Sequence, residues 1–307
     1  MVKVFIDFET RSRCDIKAAG AWAYAQHPST EVLCLAVAEE HGGAWIVTEF
    51  DTLPPFHDAY IWAHNVQFER AIWENIMVPQ YGWPAVPPDR WRCTMSLCAR
   101  YGYPLSLDAA AKALGLGHKK DAEGHRTMLQ MCKPNAKGQY VDTLEKRKIL
   151  YEYCKRDVLV ERAIHEALGE LSGRELAVWL LDQKINARGY EVDLVSVGVA
   201  VSIIDQYEED LSQRLLHRTG GAVSSAGQVG KIKEYTGLPD LRAETVEAAL
   251  AALSNPAHEV LQIRQELSRS STKKLRAMQL SAGEDGRVRG TLQYLSLIHI
   301  SEPTRPY

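Results

Sequence analysis

The sequence predicts an α/β protein, with a mixed sheet and flanking helices in its first half and a nearly all-helical second half. Three observations predict this. The chain opens on an apolar, β-branched run, residues 2–10, that reads as a buried strand ending at the carboxylates Asp7 and Glu9. Strand and helix signals then alternate as far as Thr94. From Leu107 onward the apolar spacing turns helical and remains so to Met278.

Each element follows from its own residues. After the opening strand, 31–38 and 44–50 read as strands joined by the turn His41-Gly42-Gly43. Residues 60–63 form a fourth strand, 68–77 a helix and 90–94 a short fifth strand. Ser106 caps a helix over 107–114, and Gly115 stops it. A long amphipathic repeat covers 142–168. Ser172-Gly173-Arg174-Glu175 is a capping box that opens a helix to about Ala187, ended by the turn around Gly189. Further helices are expected at 194–217, 226–235, 243–253 and 257–278. The 307 residues suffice for two cores, and the boundary is placed near Ser172, giving domains 1–171 and 172–294.

Composition narrows the setting. The formal charge of −3 differs from the basic balance of many DNA-binding modules, although local basic patches and bound cations allow nucleic acid contact. No run approaches the roughly 18 apolar residues a membrane span needs. The N-terminus opens directly into a strand with no signal peptide. The six cysteines form no Cys-x-x-Cys pair and no zinc spacing, so free thiols in a reducing cytoplasm are expected.

The acids carry the chemistry. Asp7 and Glu9, two apart on a strand, point to the same side. Tyr153 and Asp157, four apart in a helical stretch, share a face. Carboxylates brought together raise each other's pKa. Two hard divalent cations would relieve that repulsion, and such a pair suits in-line attack on a phosphodiester.

Asp7-Phe8-Glu9, Asn65-Val66-Gln67-Phe68-Glu69 and Tyr153-Cys154-Lys155-Arg156-Asp157 resemble, in order and spacing, the three motifs of DEDD-superfamily 3′–5′ exonucleases of the tyrosine subclass. The surrounding text is similar to phage-type family A DNA polymerases, including Ala63-His64-Asn65 and Ser106-Leu107-Asp108-Ala109-Ala110-Ala111, and the resemblance runs from residue 2 to about Tyr294. It departs at Glu69, where the second motif usually ends in aspartate. Glutamate keeps the charge and adds a methylene. Glu152 stands where a histidine would indicate the histidine subclass.

The resemblance implies a ribonuclease H-like exonuclease domain followed by an incomplete, mostly α-helical polymerase thumb over 172–294. It implies that Asp7, Glu9 and Asp157 bind metal directly, with Glu69 helping to hold a second ion, Mg2+ or Mn2+. Tyr153 would orient the attacking water, because a phenol with a pKa near 10 is a poor base at neutral pH. Asn65 and Phe68 would lie near the terminal nucleotides, although a core phenylalanine on a helix is the more common case and His64 reads equally as a cap or a packing residue. Lys119 and Lys120, in the basic stretch 117–126, are candidate phosphate contacts, as are Lys155 and Arg156; a solvated loop is the alternative. Arg269-Ser270-Ser271-Thr272-Lys273-Lys274 resembles the thumb helix that grips primer–template duplex, with Lys273 and Lys274 on phosphates.

The expected activity is therefore metal-dependent proofreading hydrolysis at single-stranded DNA 3′ ends by a monomer. Polymerisation is expected to be absent from this stretch, and the setting to be the bacterial host cytoplasm if the source is phage. The alternatives are a stand-alone exoribonuclease and a catalytically silent DNA-binding scaffold. Residues 295–307 resemble a translated sequencing adapter and are expected to be a non-native tail.

Overall fold

A computed structural model describes residues 2–52, 58–117, 121–252, 256–269 and 272–294. They form two compact units: Met1–Glu191 with the described part of Ser281–Tyr307, and Val192–Leu280. Lys119, Lys120, Ser270, Ser271 and the adapter-like 295–307 lie outside the described residues.

The first unit is built on five strands, β1 (Lys3–Arg11), β2 (Glu31–Glu39), β3 (Ala44–Val47), β4 (Tyr60–Ala63) and β5 (Trp91–Cys93), in the order β3-β2-β1-β4-β5. β2 runs antiparallel to β1 and β3, whereas β4 lies parallel to β1 and β5 parallel to β4. This is the expected mixed sheet. β1 lies at its centre with Val4, Phe5, Ile6 and Phe8 all buried, which is why its sequence reads as a nearly continuous apolar run.

Helices cover the sheet. Helix α1 (Ile16–Gln26) is capped by Asp15, whose carboxylate accepts the Lys17 N–H at 3.0 Å, and it kinks at Gly20. Helix α2 (Gln67–Ile72) passes through a π-helical turn, Trp73–Met77, into α3 (Val78–Tyr81). Then come α4 (Thr94–Arg100), α5 (Leu107–Ala113), α6 (Ala122–Cys132) and the 25-residue α7 (Leu144–Leu168). Helix α8 (Gly173–Arg188) buries Trp179 in this same core, so the compact unit runs past Ser172 to Glu191.

The chain returns to this unit near its end. β7 (Arg287–Val288) pairs antiparallel with β6 (Tyr190–Glu191). Asn186 clasps the returning segment, donating to the Leu292 carbonyl at 3.0 Å and accepting the Leu292 N–H at 2.8 Å. Gly189 sits at φ 63°, and any Cβ there would collide with the Val288 carbonyl.

The second unit is helical: α9 (Leu194–Arg218), α10 (Val229–Thr236), α11 (Ala243–Ala252), α12 (Pro256–Leu267) and most of α13 (Lys273–Ser281). Leu211, Leu215, Ile232, Val246, Val260 and Leu261 form its core. The single helix expected over 257–278 is two helices. Ser and Thr side chains compete for backbone hydrogen bonds, and the Thr272 hydroxyl donates to the Arg269 carbonyl at 3.1 Å at the break. Two other expectations are corrected: the third strand stops at Val47, and residues 122–126 of the supposed basic loop begin α6. Among the described residues, no helix is long and apolar enough to cross a membrane.

Candidate active site

β1 carries Asp7 and Glu9 to one side, while Phe8 between them packs edge-on against Trp73, with ring centroids 6.5 Å apart. The β1–β2 register shifts immediately after Glu9: Glu9 faces Cys34 but Thr10 faces Val32. Such a bulge bends a strand and re-aims its side chains. Helix α7 packs across β1 with Tyr153 and Asp157 one turn apart. Between them, the buried Cys154 thiol lies 3.3 Å from Asp7 Oδ2. Cys132 Sγ is 3.7 Å from Glu9 Oε2. One ligand atom each from Asp7, Glu9 and Cys154 lies within 4.8 Å of the others. Asp7, Glu9, Tyr153, Asp157 and Phe68 all line one cleft of about 330 Å³.

Electrostatics mark the cleft as strained toward neutrality. Burial pushes Asp7 up to about 6, with the Cys154 thiol opposing the shift. Burial and then Asp7 push Asp157 up to about 8, against a hydrogen bond from the Tyr153 hydroxyl. Glu9 is raised well above the carboxylate range by burial, then by Asp7. Glu69 is raised in the same way, and its Oε2 is buried without a hydrogen-bond partner. Burial, and next the Asp157 charge, hold the Tyr153 phenol firmly protonated. Carboxylates so desolvated and mutually repelled, with an unpaired oxygen among them, fit a hard divalent cation. Cys154 and Cys132 are soft donors beside them.

The second motif splits. Asn65 adopts the left-handed conformation, φ 67°, which asparagine tolerates, and its carbonyl accepts the Phe68 N–H at 3.0 Å to start α2. Phe68 lines the cleft and also packs on Tyr24, ring centroids 6.1 Å apart. Asn65 lines a separate cavity of about 340 Å³ with Gln67, Ser96, Trp179 and Asp182. Glu69 is 3% exposed and feels the Asp7 charge, yet it is not among the residues lining the cleft. His64 packs: Nε2 donates to the Leu105 carbonyl at 2.8 Å and Nδ1 meets the Thr94 hydroxyl at 2.9 Å. Burial lowers its pKa to about 4, which keeps the ring neutral.

The basic candidates differ in their engagement. Lys155 pairs with Glu152, and Arg156 with Asp121 at 2.6 Å. In the helical unit, Lys273 and Lys274 are exposed in the first turn of α13, whereas Arg276 is held by Asp205 and Glu208 of α9 at 2.5 and 2.8 Å. Sequence reasoning missed Glu161, a buried acid one turn beyond Asp157. The four-residue spacing from Asp157 was the available signal.

Over 96% of its length the chain is 34% identical, across 323 aligned residues, to the DNA polymerase of Bacillus phage SP02, and it spans about half (48%) of that curated relative. The chain is a homologue of a phage DNA polymerase. No family model matches it. A solved structure of the POL domain of Pol1 from M. smegmatis, in complex with DNA primer-template and dNTP, aligns with a TM-score of 0.49 at 13% identity, covering 94% of this chain and 48% of that one.

Proposed function

We propose that the first unit is a metal-dependent 3′–5′ exonuclease, the proofreading part of a DNA polymerase. The gathering of Asp7, Glu9, Tyr153 and Asp157 on one cleft carries this reading. Homology to a phage DNA polymerase supports it, and the sheet order with an antiparallel β2 supports a ribonuclease H-like architecture. Asp7, Glu9 and Asp157 would hold one Mg2+ or Mn2+ ion, and Asp7 with Glu69 a second. Such a pair, when bound, makes a water nucleophilic and neutralises the departing 3′ oxygen.

The remaining work falls to the chain's own groups. Tyr153 stays protonated, so its hydroxyl positions a water rather than acting as a base. Phe68 offers an aromatic face to a terminal base. A cleft of about 330 Å³ suits one nucleotide rather than a duplex. Lys273 and Lys274 of the helical unit contact duplex phosphates.

The test is a 5′-labelled single-stranded DNA incubated with Mg2+. The expected outcome is a ladder shortened from the 3′ end with release of mononucleotides, and slower loss of a matched RNA. Full-length label in both Mg2+ and Mn2+ refutes the reading, and faster loss of RNA turns it toward an exoribonuclease.

A second prediction concerns how Tyr153 is held. It rests against α6 at Gly124, where an ideal Cβ would stand 2.5 Å from Tyr153 Cδ2. The same Cβ would collide with Oδ2 of Asp121, the N-cap of α6, so Gly124→Ala must displace the ring, the cap or both. Misplacement by about an ångström costs on the order of 100-fold in rate. Single-turnover hydrolysis should fall by about that factor, and the same substitution in a Tyr153→Phe background should change little further. An equal loss in both backgrounds would mean that Gly124 acts through something other than the hydroxyl.

A further inference from the structure

We propose that Glu161 belongs to the cation site as a fifth acid, forming with Glu69 the inner wall of the site beside Asp7. The inference rests on the exonuclease reading above and extends it to a residue outside the three motifs. Glu161 is 1% exposed and sits on α7 one turn after Asp157, on the same face. The largest charge it feels is that of Asp7, followed by Glu69 and then Asp157. Its carboxylate accepts the His64 backbone N–H, directly after β4.

Its Oε2 has no partner. Neither has Oε2 of Glu69, which lies on α2, is 3% exposed and feels the Asp7 charge. Two enclosed carboxylates, from two helices, thus each leave one oxygen unpaired, and Asp7 is the largest charge that both feel. Arg70 is committed to Glu74 at 2.6 Å, Arg156 to Asp121 at 2.6 Å and Arg162, next to Glu161 in the chain, to Glu166 at 3.6 Å. A buried, unpaired carboxylate is costly, and a hard cation needs about six oxygens. The extra methylene of Glu69, against the usual aspartate, extends its carboxylate. Glu161 would supply a second oxygen donor from the face of α7 that carries Asp157.

The competing account is a structural staple, in which Glu161 merely ties α7 to the end of β4 through the His64 N–H. Glu161→Gln separates the two, because the amide keeps an oxygen for His64 and the volume of the side chain but loses the charge. The experiment is calorimetric titration of the full chain with Mn2+, alongside melting in EDTA. Wild type is expected to bind two ions. Glu161→Gln should bind the weaker one at least about tenfold less tightly, the scale of loss when a supporting group around a metal is removed. In EDTA it should melt no lower than wild type.

Unchanged affinity for both ions in Glu161→Gln, with normal dependence on Asp7, overturns this proposal and leaves the exonuclease reading standing. Wild type that binds no Mn2+, or Asp7→Ala that binds as wild type does, overturns that reading and this proposal with it. Should Glu161→Gln fail to fold, Glu161→Asp decides, because it retains a charge withdrawn by one methylene. Weakened Mn2+ binding then supports the proposal, and unchanged binding overturns it.

Discussion

Asp7→Ala is expected to lower 3′-end hydrolysis by about 10³- to 10⁵-fold, the range that several kcal/mol of lost cation stabilisation implies. Asp7 is the electrostatic hub of the cleft. Its charge is a cause of the upward shifts of Glu9, Glu69, Asp157 and Glu161, and no other single group is. Removing it therefore takes away the one carboxylate that both halves of the site share. The substitution should not unfold the protein. It deletes a desolvated acid whose pKa is already raised to about 6, and so relieves repulsion in the cation-free state. Single-turnover hydrolysis of a labelled oligonucleotide checks the rate, and a melting curve in EDTA checks the fold. Activity retained within tenfold of wild type would sink the assignment of Asp7, and with it the cation site.

How far the sequence revealed this arrangement depended on the kind of signal. The sheet was legible because β-branched runs such as 2–10 and 31–38 have no helical period. The convergence of Asp7, Glu9, Tyr153 and Asp157 on one cleft was legible from spacing within β1 and α7, combined with motif order. Helix α1 was not, because Gly20 adopts φ 77° in its middle and interrupts any helical pattern. Helix α6 was hidden by Gly117, Gly124 and a run of charges, although Gly124 is small where α6 meets Tyr153. The break between α12 and α13 lay in a polar Ser/Thr run that side-chain periodicity alone bridges too easily. Glu161 falls inside the amphipathic repeat over 142–168 but outside the three motifs. Its burial depends on the contact of α7 with the end of β4, and a local pattern does not encode such a contact.

Without divalent cations, the melting temperature is expected to fall between pH 6.5 and pH 8, by roughly 5–10 °C on the usual scaling of stability to melting temperature for chains of this size. The direction follows from proton binding. Asp157 titrates near 8 in the folded state against an ordinary value near 3.8, and Glu9, Glu69 and Glu161 are displaced the same way. In this window the folded protein therefore holds more protons than the unfolded chain. Stability then drops as pH rises, until the folded-state pKa values are passed. His64, lowered to about 4, has the opposite sign, but its contribution changes between pH 4 and 6.5 and is complete above that. The interval from 6.5 to 8 thus isolates the acids. Saturating Mg2+ favours the ionised carboxylates, so it should flatten the slope and widen the gap between the two melting curves as pH increases. Asp157→Asn, which removes the group titrating near 8, should flatten the cation-free slope as well. Scanning calorimetry at pH 6.5 and 8.0, in EDTA and in Mg2+, measures all of these. A cation-free melting temperature that stays level or rises would mean that the cleft carboxylates are solvated and unstrained, leaving no electrostatic reason for metal to bind between them.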